Sequence, residues 1–313
     1  MILKKTTFSV ITPSFQQGNF IERTICSVLD QDCKDIEYFV LDGGSTDKTV
    51  SVLKRYSRHL TWVSEPDDGQ AHAVNKGLAM STGEIIAWIN SDDIYYPHAF
   101  EQVSLLFEAN PDVAVVYGQA DWIDQADNII APYPTRSWDY GQLTKECYLC
   151  QPAVFFRRSV AERLGGLDPS LQYCMDYELW LRYGQMIPFS YLPVNLAGSR
   201  IYPTNKTFGS RLAAHREANE MLCARLGHST RHWIFEYSKL QLESDSKAQK
   251  TDLIFAFKLF VLAIKNCWSF NKRATAIVCL KVILDQLFRQ HFWLRSQPKI
   301  NIENVILDQH DQV

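Results

Sequence analysis

The chain has 313 residues, of which 46% are apolar and 21% are charged, a balance typical of folded proteins and not of disordered ones. Its net charge of -3 at pH 7 and its pI near 6.2 argue against nonspecific binding of nucleic acid, which requires a basic excess. The length suffices for one large domain, or for one domain with an extension.

The cysteines and the apolar runs indicate a reducing, cytoplasmic location. Eight cysteines are scattered along the chain, unlike those of a small disulfide-bonded domain. The one close pair, Cys147 and Cys150, lacks the further Cys or His ligands of a zinc site. No signal-peptide pattern opens the chain. The longest apolar region, 253–268, is interrupted by Lys258 and Lys265, so we expect no membrane span.

The first part of the chain alternates segments typical of strands with segments typical of helices. Short apolar runs predict strands at 8–12, 36–41, 60–63, 84–89 and 113–117. Apolar residues at helical spacing predict helices at 19–29, 47–56, 70–80 and 98–108. This alternation predicts an α/β fold with a mostly parallel sheet and helices on both faces.

The later part of the chain is less regular. Strands are predicted at 154–157 and 189–196, and a short helix at 177–183. From about residue 207 onward the pattern is mainly helical. The polar stretch 243–250 is the best candidate for a linker.

Polar clusters follow the predicted strands at the points where the strands end. These clusters are Thr12-Pro13-Ser14, Asp42-Gly43-Gly44, Glu65-Pro66-Asp67 and Asn90-Ser91-Asp92. Right-handed crossovers bring the carboxyl ends of parallel strands to the same edge of a sheet. The sequence therefore predicts that the polar clusters converge on one edge.

Acidic residues at these strand ends suit the binding of a metal and a nucleotide. Neither a P-loop motif nor GxGxxG is present, which disfavours the folds that those motifs define. Asp42 is suited either to hydrogen bonds with a base or ribose, or to a turn before the next helix. Asp92 and Asp93 are suited either to Mg²⁺ or Mn²⁺ with substrate phosphates, or to capping a helix.

Five segments resemble, in this order, the motifs of family 2 glycosyltransferases, which are inverting, nucleotide-sugar-dependent enzymes with the GT-A fold. The segments are VITPSFQQGNFIERTICSVLDQ, EYFVLDGGSTDKT, SEPDDGQAHAVNKGL, GEIIAWINSDD and MDYELWLR. The resemblance implies a Rossmann-like GT-A catalytic domain over residues 1–207, with a nucleotide-sugar half at 1–118 and an acceptor half at 119–207. A helical C-terminal extension would then cover 208–313.

The resemblance also implies roles for single residues. Asp92 would bind a Mn²⁺ or Mg²⁺ ion between the donor phosphates. Asp176 would be the base that takes the proton of the acceptor hydroxyl, with Glu178 as its rival. Arg200 and Lys206 lie in GSRIYPTNKT, which resembles the loop that closes over the donor diphosphate. The implied nucleotide-binding residues are Thr12, Pro13, Ser14, Asp42, Asp67, Asn75, Asn90 and Ser91, and the implied acceptor residues are Gln151 and Glu178.

Three positions depart from the pattern of the family. Asn90 replaces the first acid of the D-x-D motif, Met175 replaces an acid beside the base, and Tyr202 stands where a His often follows the arginine. The two missing acids keep open a non-catalytic nucleotide-sugar-binding or scaffold protein. A sugar nucleotidyltransferase is the other alternative, although the first strand is not followed by a Gly-rich phosphate loop.

The sequence thus predicts transfer of a sugar from a nucleotide-diphosphate donor, UDP-sugar foremost, to a hydroxyl of a saccharide or lipid-linked saccharide. The setting implied by the family is bacterial surface-polysaccharide assembly. The apolar C-terminal segments carry Lys and Arg at intervals. They suit packing on the catalytic domain or in a homodimer, or peripheral contact with the inner face of the membrane.

Overall fold

The computed structural model describes residues 7–33, 35–245 and 253–271 of the chain. Contacts between residues divide the chain into two compact units. The first comprises Met1–Tyr140 and Tyr148–Tyr202, and the second comprises Gly141–Cys147 and Pro203–Val313. The domain boundary at residue 207 and the two halves within it stay predictions.

The first unit is built on a mixed sheet, which has nine strands in the described residues. They are β1 (Phe8–Ser14), β2 (Ile36–Asp42), β3 (Thr61–Ser64), β4 (Ile85–Trp88), β5 (Ile94–Tyr95), β6 (Val115–Ile123), β7 (Ile129–Pro132), β8 (Val154–Arg157) and β9 (Ser190–Arg200). Their order is β3-β2-β1-β4-β8-β6-β9-β5, and β7 pairs with β6.

The sheet is parallel in its first part and mixed beyond β4. Strands β3, β2, β1 and β4 pair in parallel, as the βα alternation predicts. The predicted fifth strand forms the start of β6, but it does not extend this parallel set directly. Instead β8 lies between β4 and β6 and is antiparallel to both. Two short strands, β5 and β7, escape prediction because they are too brief to show an alternating pattern.

Eleven helices accompany the strands in the part of the chain that the structure describes. They are α1 (Ile21–Leu29), α2 (Thr49–Tyr56), α3 (Gln70–Met80), α4 (Ala99–Ala109), α5 (Tyr140–Leu143), α6 (Arg158–Leu164), α7 (Met175–Met186), α8 (Lys206–Gly209), α9 (Arg211–Leu226), α10 (Arg231–Asp245) and α11 (Leu253–Phe270). Part of the predicted linker is therefore helical, since α10 extends through Asp245, while residues 246–250 lie outside the described ranges.

The core of the first unit explains why its central strands are apolar runs. Every residue of β1 and of β4 is buried, because helices cover both faces of a parallel sheet. Phe8 stacks on Phe100 at a centroid distance of 4.6 Å and meets the edge of Phe155 at 6.3 Å. Each such side chain contributes about 1.5–3 kcal/mol by burial. This packing secures the start of β1 in the core.

The helices of the second unit have a core of their own. Phe235 and Leu242 of α10 pack against Phe255 and Leu259 of α11. The end of α11 is fastened by Asn271, whose Oδ1 accepts the Ser229 N–H at 2.7 Å. In the described ranges, none of the helices combines the length and the apolar character that crossing a membrane requires. The apolar segment after residue 273, which the sequence predicts to be helical, lies outside the described residues.

Candidate active site

The carboxyl ends of the four parallel strands lie at one edge of the sheet, and hydrogen bonds connect them. The strand register places Ser14 beside Asp42, and Asp42 beside Ser64. From α3, Gln70 Nε2 donates to Asn90 Oδ1 at 2.7 Å, which ties the start of that helix to the residues after β4. The polar clusters thus converge on one edge, as the sequence predicts.

Asp42 acts as the hydrogen-bond centre of the β2 end. Its carboxylate is 2% exposed. Oδ1 accepts from Ser45 Oγ at 2.6 Å, and Oδ2 accepts from Ser45 N at 2.9 Å and from Ser64 Oγ at 2.6 Å. Charge-assisted bonds of this kind are among the stronger ones in proteins. Asp42 therefore holds the turn after β2 against the end of β3.

Gly43, in the turn after β2, lies against the side chains of Phe15 and Asp67. A Cβ on Gly43 would approach both carboxylate oxygens of Asp67, and Cδ2 of Phe15, to 3.3 Å, so a larger residue would crowd this place. The Gly69 N–H donates to Asp67 Oδ1 at 2.8 Å, and Gly69 has φ of 106°, which favours glycine. The Phe15 ring is 60% exposed.

Phe15 is a functional candidate that the sequence analysis missed. Its position directly after the buried strand β1 is the signal that could have identified it. An exposed aromatic ring beside a carboxylate can stack on a planar base while the acid accepts hydrogen bonds. Phe15 and Asp67 together therefore suit a nucleobase or ribose.

Several of the predicted nucleotide-binding residues are buried. Thr12 lies inside β1, where its Oγ1 is 3.2 Å from Tyr38 Oη, and Pro13 is buried beside it. Ser91 is 4% exposed. Ser14 Oγ is also buried and finds no hydrogen-bond partner among the described residues. Thr12 and Pro13 thus build the end of β1 with buried side chains, and their predicted place at the nucleotide-binding end of this strand stays a prediction.

Asn90 keeps the hydrogen-bonding role of an acid but not its charge. Its Oδ1 accepts from Gln70 Nε2 and also from Trp88 Nε1 at 3.1 Å. A carboxylate could accept the same two bonds. The amide therefore preserves the local structure after β4 while it removes one negative charge from the site.

Asp92 and Asp93 have different environments. Asp93 is 3% exposed, and its Oδ1 accepts the backbone N–H of Arg200 at 2.8 Å. Asp92 is partly exposed, and its Oδ2 accepts from Tyr202 Oη at 2.8 Å. Burial raises the pKa of Asp92, while burial together with the charge of Asp92 raises the pKa of Asp93 well above its usual range. Asp93 is thus enclosed by the fold, whereas Asp92 is partly exposed.

The pairing of β5 with β9 brings Arg200 and Tyr202 to these acids. Ile94 lies opposite Gly198 in antiparallel register. The residues just before β5 therefore meet the end of β9 and the residues that follow it. No pattern near either strand in the sequence announces this contact.

Arg200 is a structural centre of the loop after β4. Its side chain is fully buried, and its Nε donates to the Asp92 carbonyl at 2.6 Å, while Nη1 donates to the Asp124 carbonyl at 2.5 Å. Its Nη2 lies 2.5 Å from Asp127 Oδ1, and its guanidinium lies over the Phe20 ring at 5.0 Å. The donors of Arg200 are thus engaged by the protein, and its contact with the diphosphate stays a prediction.

Tyr202 connects Asp92 to the loop after β1. Its hydroxyl donates to Asp92 Oδ2 and accepts from Gln17 Nε2 at 3.3 Å. Its ring packs on Phe20 at a centroid distance of 4.9 Å. Burial, aided by the charge of Asp92, raises the pKa of Tyr202, so the phenol stays protonated and remains a donor. Lys206, the other predicted diphosphate residue, begins α8 in the second unit.

The two acids at the start of α7 also differ. Asp176 is partly exposed in the first turn, where its Oδ1 accepts the Tyr177 N–H at 2.8 Å. Glu178 is fully buried, with Oε1 3.0 Å from Arg182 Nε and Oε2 3.1 Å from Arg182 Nη2. Arg182 in turn donates to the carbonyls that end α6. Glu178 thus forms a buried ion pair, which favours Asp176 as the base, and an acceptor role for Glu178 stays a prediction.

The loop before α7 is fastened to α3 at the same sheet edge. Asn75 Nδ2 donates to the Leu167 carbonyl at 2.9 Å, and its Oδ1 accepts the Leu167 N–H at 2.8 Å. Further along this loop, Gln172 Oε1 lies 3.5 Å from the place of a Cβ on Gly69. Asn75 thus positions the loop that leads to Asp176, and its nucleotide-binding role stays a prediction.

Gln151, predicted to line the acceptor pocket, lies against the end of β4. Its Nε2 donates to the Trp88 carbonyl at 2.6 Å. Its Oε1 is buried and has no hydrogen-bond partner among the residues that the structure describes. Gln151 therefore offers an acceptor atom close to the strand that leads to Asp92.

The residues fit a metal that arrives with a diphosphate, and they do not fit a metal held by protein alone. In the described ranges, no three acidic, His or Cys side chains group closely enough to bind an ion. Asp92 supplies one partly exposed carboxylate, and Asp93 beside it is buried. Mg²⁺ and Mn²⁺ are commonly bound by one or two carboxylates together with substrate phosphates.

Comparison with known proteins identifies the family. The sequence profile of Glycosyl transferase family 2 matches residues 9–165, which is half of the chain. The chain belongs to glycosyltransferase family 2. The glycosyltransferase is 28% identical over 222 residues to an uncharacterised glycosyltransferase of Rickettsia typhi, covering 66% of this chain and 68% of the relative. It is 27% identical over 188 residues to chondroitin synthase of Escherichia coli, covering 59% of this chain and 27% of that one.

Solved structures show the fold of the glycosyltransferase. Staphylococcus aureus TarS, residues 1–349 in complex with UDP-GlcNAc, superposes with a TM-score of 0.59 at 14% identity, over 91% of this chain and 92% of that TarS fragment. A mannosyltransferase of Pyrobaculum calidifontis in complex with GDP-Man and Mn²⁺ gives 0.56 at 18% identity, over 94% and 89%. The predicted GT-A fold, with helices at its C-terminal end, is confirmed.

Proposed function

We propose that this glycosyltransferase moves a sugar, with inversion, from a UDP-sugar to a hydroxyl of a saccharide or lipid-linked saccharide. One observation carries the proposal: Asp92 is a reachable carboxylate at the sheet edge where the loops after β1, β2 and β3 also meet. Such an edge is where open α/β sheets bind their ligands. Relatives include a chondroitin synthase and the O-antigen biosynthesis protein RfbC of Myxococcus xanthus, which supports a role in bacterial polysaccharide assembly.

The donor would be held by the two parts of this edge. Phe15 and Asp67 would take the base and ribose, since one offers an exposed ring and the other hydrogen-bond acceptors. Ser14 Oγ and Asn90 would add polar contacts. Asp92 would hold Mn²⁺ or Mg²⁺, which when bound neutralises the diphosphate leaving group. The neighbouring TarS and mannosyltransferase structures hold UDP-GlcNAc and GDP-Man, which supports a nucleotide-sugar donor.

Asp176 would be the catalytic base. An inverting transfer needs one carboxylate to take the proton of the acceptor hydroxyl as that oxygen attacks the anomeric carbon. Asp176 is the acid at the start of α7 that a ligand can reach, because Glu178 is buried against Arg182. Its place in the first turn of a helix suits a carboxylate, since the helix N-terminus carries partial positive charge. Gln151 would lie on the acceptor side.

The cytoplasm is the proposed setting, at the inner face of the membrane if the acceptor is lipid-linked. Both the nucleotide-sugar donor and the acceptor are partners by this proposal, and a homodimer is a further expectation from the sequence.

The test is to incubate the purified protein with Mn²⁺ and a panel of nucleotide sugars, and to measure release of nucleoside diphosphate with and without saccharide acceptors. We expect acceptor-dependent release from one donor. Asp176→Asn should abolish transfer while donor binding survives, and Asp92→Asn should weaken metal-dependent donor binding. Asp112→Asn, at an exposed acid outside the site, is the matched control.

Three results would contradict the proposal. Donor binding without turnover on any acceptor would indicate a scaffold protein. Release of pyrophosphate from a nucleoside triphosphate would indicate a nucleotidyltransferase. Turnover by Asp176→Asn near the wild-type rate would leave the family assignment intact but would show that Asp176 is not the base.

A further inference from the structure

The last described helix carries an apolar stripe on its exposed side. Phe257, Val261 and Trp268 of α11 are 68%, 50% and 62% exposed, and Ile264 between them is half-buried. Their spacing of four, three and four residues aligns them on one side of the helix. We call these four residues the outer face of α11. Exposed apolar surface that forms a continuous patch commonly marks a site of interaction.

The outer face is surplus to the packing of its own unit. The buried residues of α11 occupy the other side, where Phe255 and Leu259 pack against α10 and Ala263 and Cys267 are also buried. A helix that needed only this contact would carry polar residues on its exposed side. We therefore expect the apolar outer face to contact another molecule.

Positive charge surrounds the outer face. Lys258 and Lys265 are exposed, and each directly follows a residue of the outer face. Helix α11 contains no Asp or Glu. Between residues 253 and 295 the sequence has seven Lys and Arg and a single acid, Asp285, so this part carries +6 whereas the whole chain carries -3. Within the described residues, the two exposed lysines of α11 therefore place positive charge directly beside the outer face.

This combination fits an anionic bilayer better than a protein partner. Apolar side chains on one side of a helix can enter the boundary between lipid headgroups and acyl chains. Lysine side chains beside them can reach up to lipid phosphates, and Trp at one end prefers the same boundary. A second copy of the chain would bring its own basic outer face, and the like charges would repel.

We propose that the outer face of α11 binds the surface of an anionic lipid bilayer and holds the glycosyltransferase there. The proposal concerns the second unit alone and does not depend on the donor, the acceptor or the catalytic residues.

The test is co-sedimentation of the full chain with vesicles of phosphatidylcholine, with or without about 30% phosphatidylglycerol, at low and raised salt. We expect binding to the anionic vesicles, weak binding to the neutral ones, and loss of binding as salt increases. Val261→Asp/Trp268→Ser removes the apolar contact, and Lys258→Glu/Lys265→Glu reverses the charges. Each double variant should weaken partitioning by about tenfold or more, since each charge near an anionic surface changes affinity roughly fivefold.

Matched control variants make the same kinds of substitution, apolar to acidic and basic to acidic, at exposed residues outside α11. Leu105→Asp alters an exposed apolar residue of α4, which is 55% exposed, and Lys54→Glu/Arg58→Glu reverses two exposed charges near α2. Both should leave vesicle binding unchanged. Circular dichroism melts of each variant check folding. If Val261→Asp/Trp268→Ser unfolds, Lys258→Glu/Lys265→Glu still tests the proposal, because it leaves the apolar contacts of α11 unchanged.

Several outcomes would overturn the proposal. Equal binding to neutral vesicles, or variants that bind as the wild type does, would remove its basis. Suppose that the wild type does not bind vesicles and that Val261→Asp/Trp268→Ser lowers the molecular mass measured by light scattering. The outer face would then be a contact with a second copy of the chain. No vesicle binding with a lowered melting temperature of the apolar variant would assign it to the chain's own residues 274–295. Sugar transfer to a water-soluble acceptor, measured in parallel, reports on the proposed function separately.

Discussion

Replacing Arg200 with methionine tests whether this residue supports the Asp92 loop or touches the donor. The guanidinium is fully buried and donates to the carbonyls of Asp92 and Asp124 at 2.6 and 2.5 Å, with Asp127 at 2.5 Å. Methionine fills a similar volume but leaves these acceptors without their donors. Breaking a buried charged pair from one side costs about 3–5 kcal/mol.

That loss is large against the ~5–15 kcal/mol that stabilises an ordinary domain. Urea unfolding followed by circular dichroism should therefore show a clearly lower midpoint for Arg200→Met in the absence of any nucleotide. Arg200→Lys keeps the charge but not the planar fork, and we expect an intermediate loss. Arg55→Met removes an exposed ion pair with Glu22, of 2.8 Å, and should leave the midpoint nearly unchanged.

The result that would refute this reasoning is specific. If Arg200→Met unfolds at the wild-type urea concentration but binds UDP much more weakly by calorimetry, then Arg200 contacts the diphosphate directly. In that case the contact predicted from the sequence would be right and the structural role would be wrong.

Three further predictions concern the same unit. Tyr202→Phe removes the hydrogen-bond donor to Asp92. It should raise the Kd of UDP with Mn²⁺ roughly tenfold in calorimetry, because loss of a group that orients a metal ligand commonly weakens metal binding at least tenfold. An unchanged Kd would contradict the orienting role of Tyr202. Glu178→Gln should lower the free energy of unfolding by about 3–5 kcal/mol, since it breaks the buried pair with Arg182, whereas Asp176→Asn should unfold as the wild type does. Burial raises the pKa of Glu37, but hydrogen bonds from Ser9, Thr82 and Gly83 outweigh it and lower the pKa. This stabilisation is present above the unfolded pKa and is lost as pH falls through the folded one, so Glu37→Gln should lower stability at pH 7 and flatten its decline in acid.

The convergence of the polar clusters could be predicted from the sequence, because parallel strands with right-handed crossovers allow few positions for the loops that follow them. The roles of individual residues were less so. Asp42 and Asp92 stand where the motifs place them, yet motif position did not distinguish a side chain that a ligand can reach from one committed to the fold. Glu178 and Arg200 carry the same charges in either role, and only burial and partners separate the two.

The sequence by itself determined the family, the α/β class and the sheet edge on which the polar clusters converge. Periodicity and ordered motifs act over short distances along the chain, so one strand and its loop are enough to display them. The tertiary structure decided that β8 enters between β4 and β6, and that β5 pairs with β9. That second pairing brings Arg200 and Tyr202 to Asp92 and Asp93 across more than a hundred residues. Contacts between segments so far apart depend on how the whole sheet packs, and no local pattern in the chain records them.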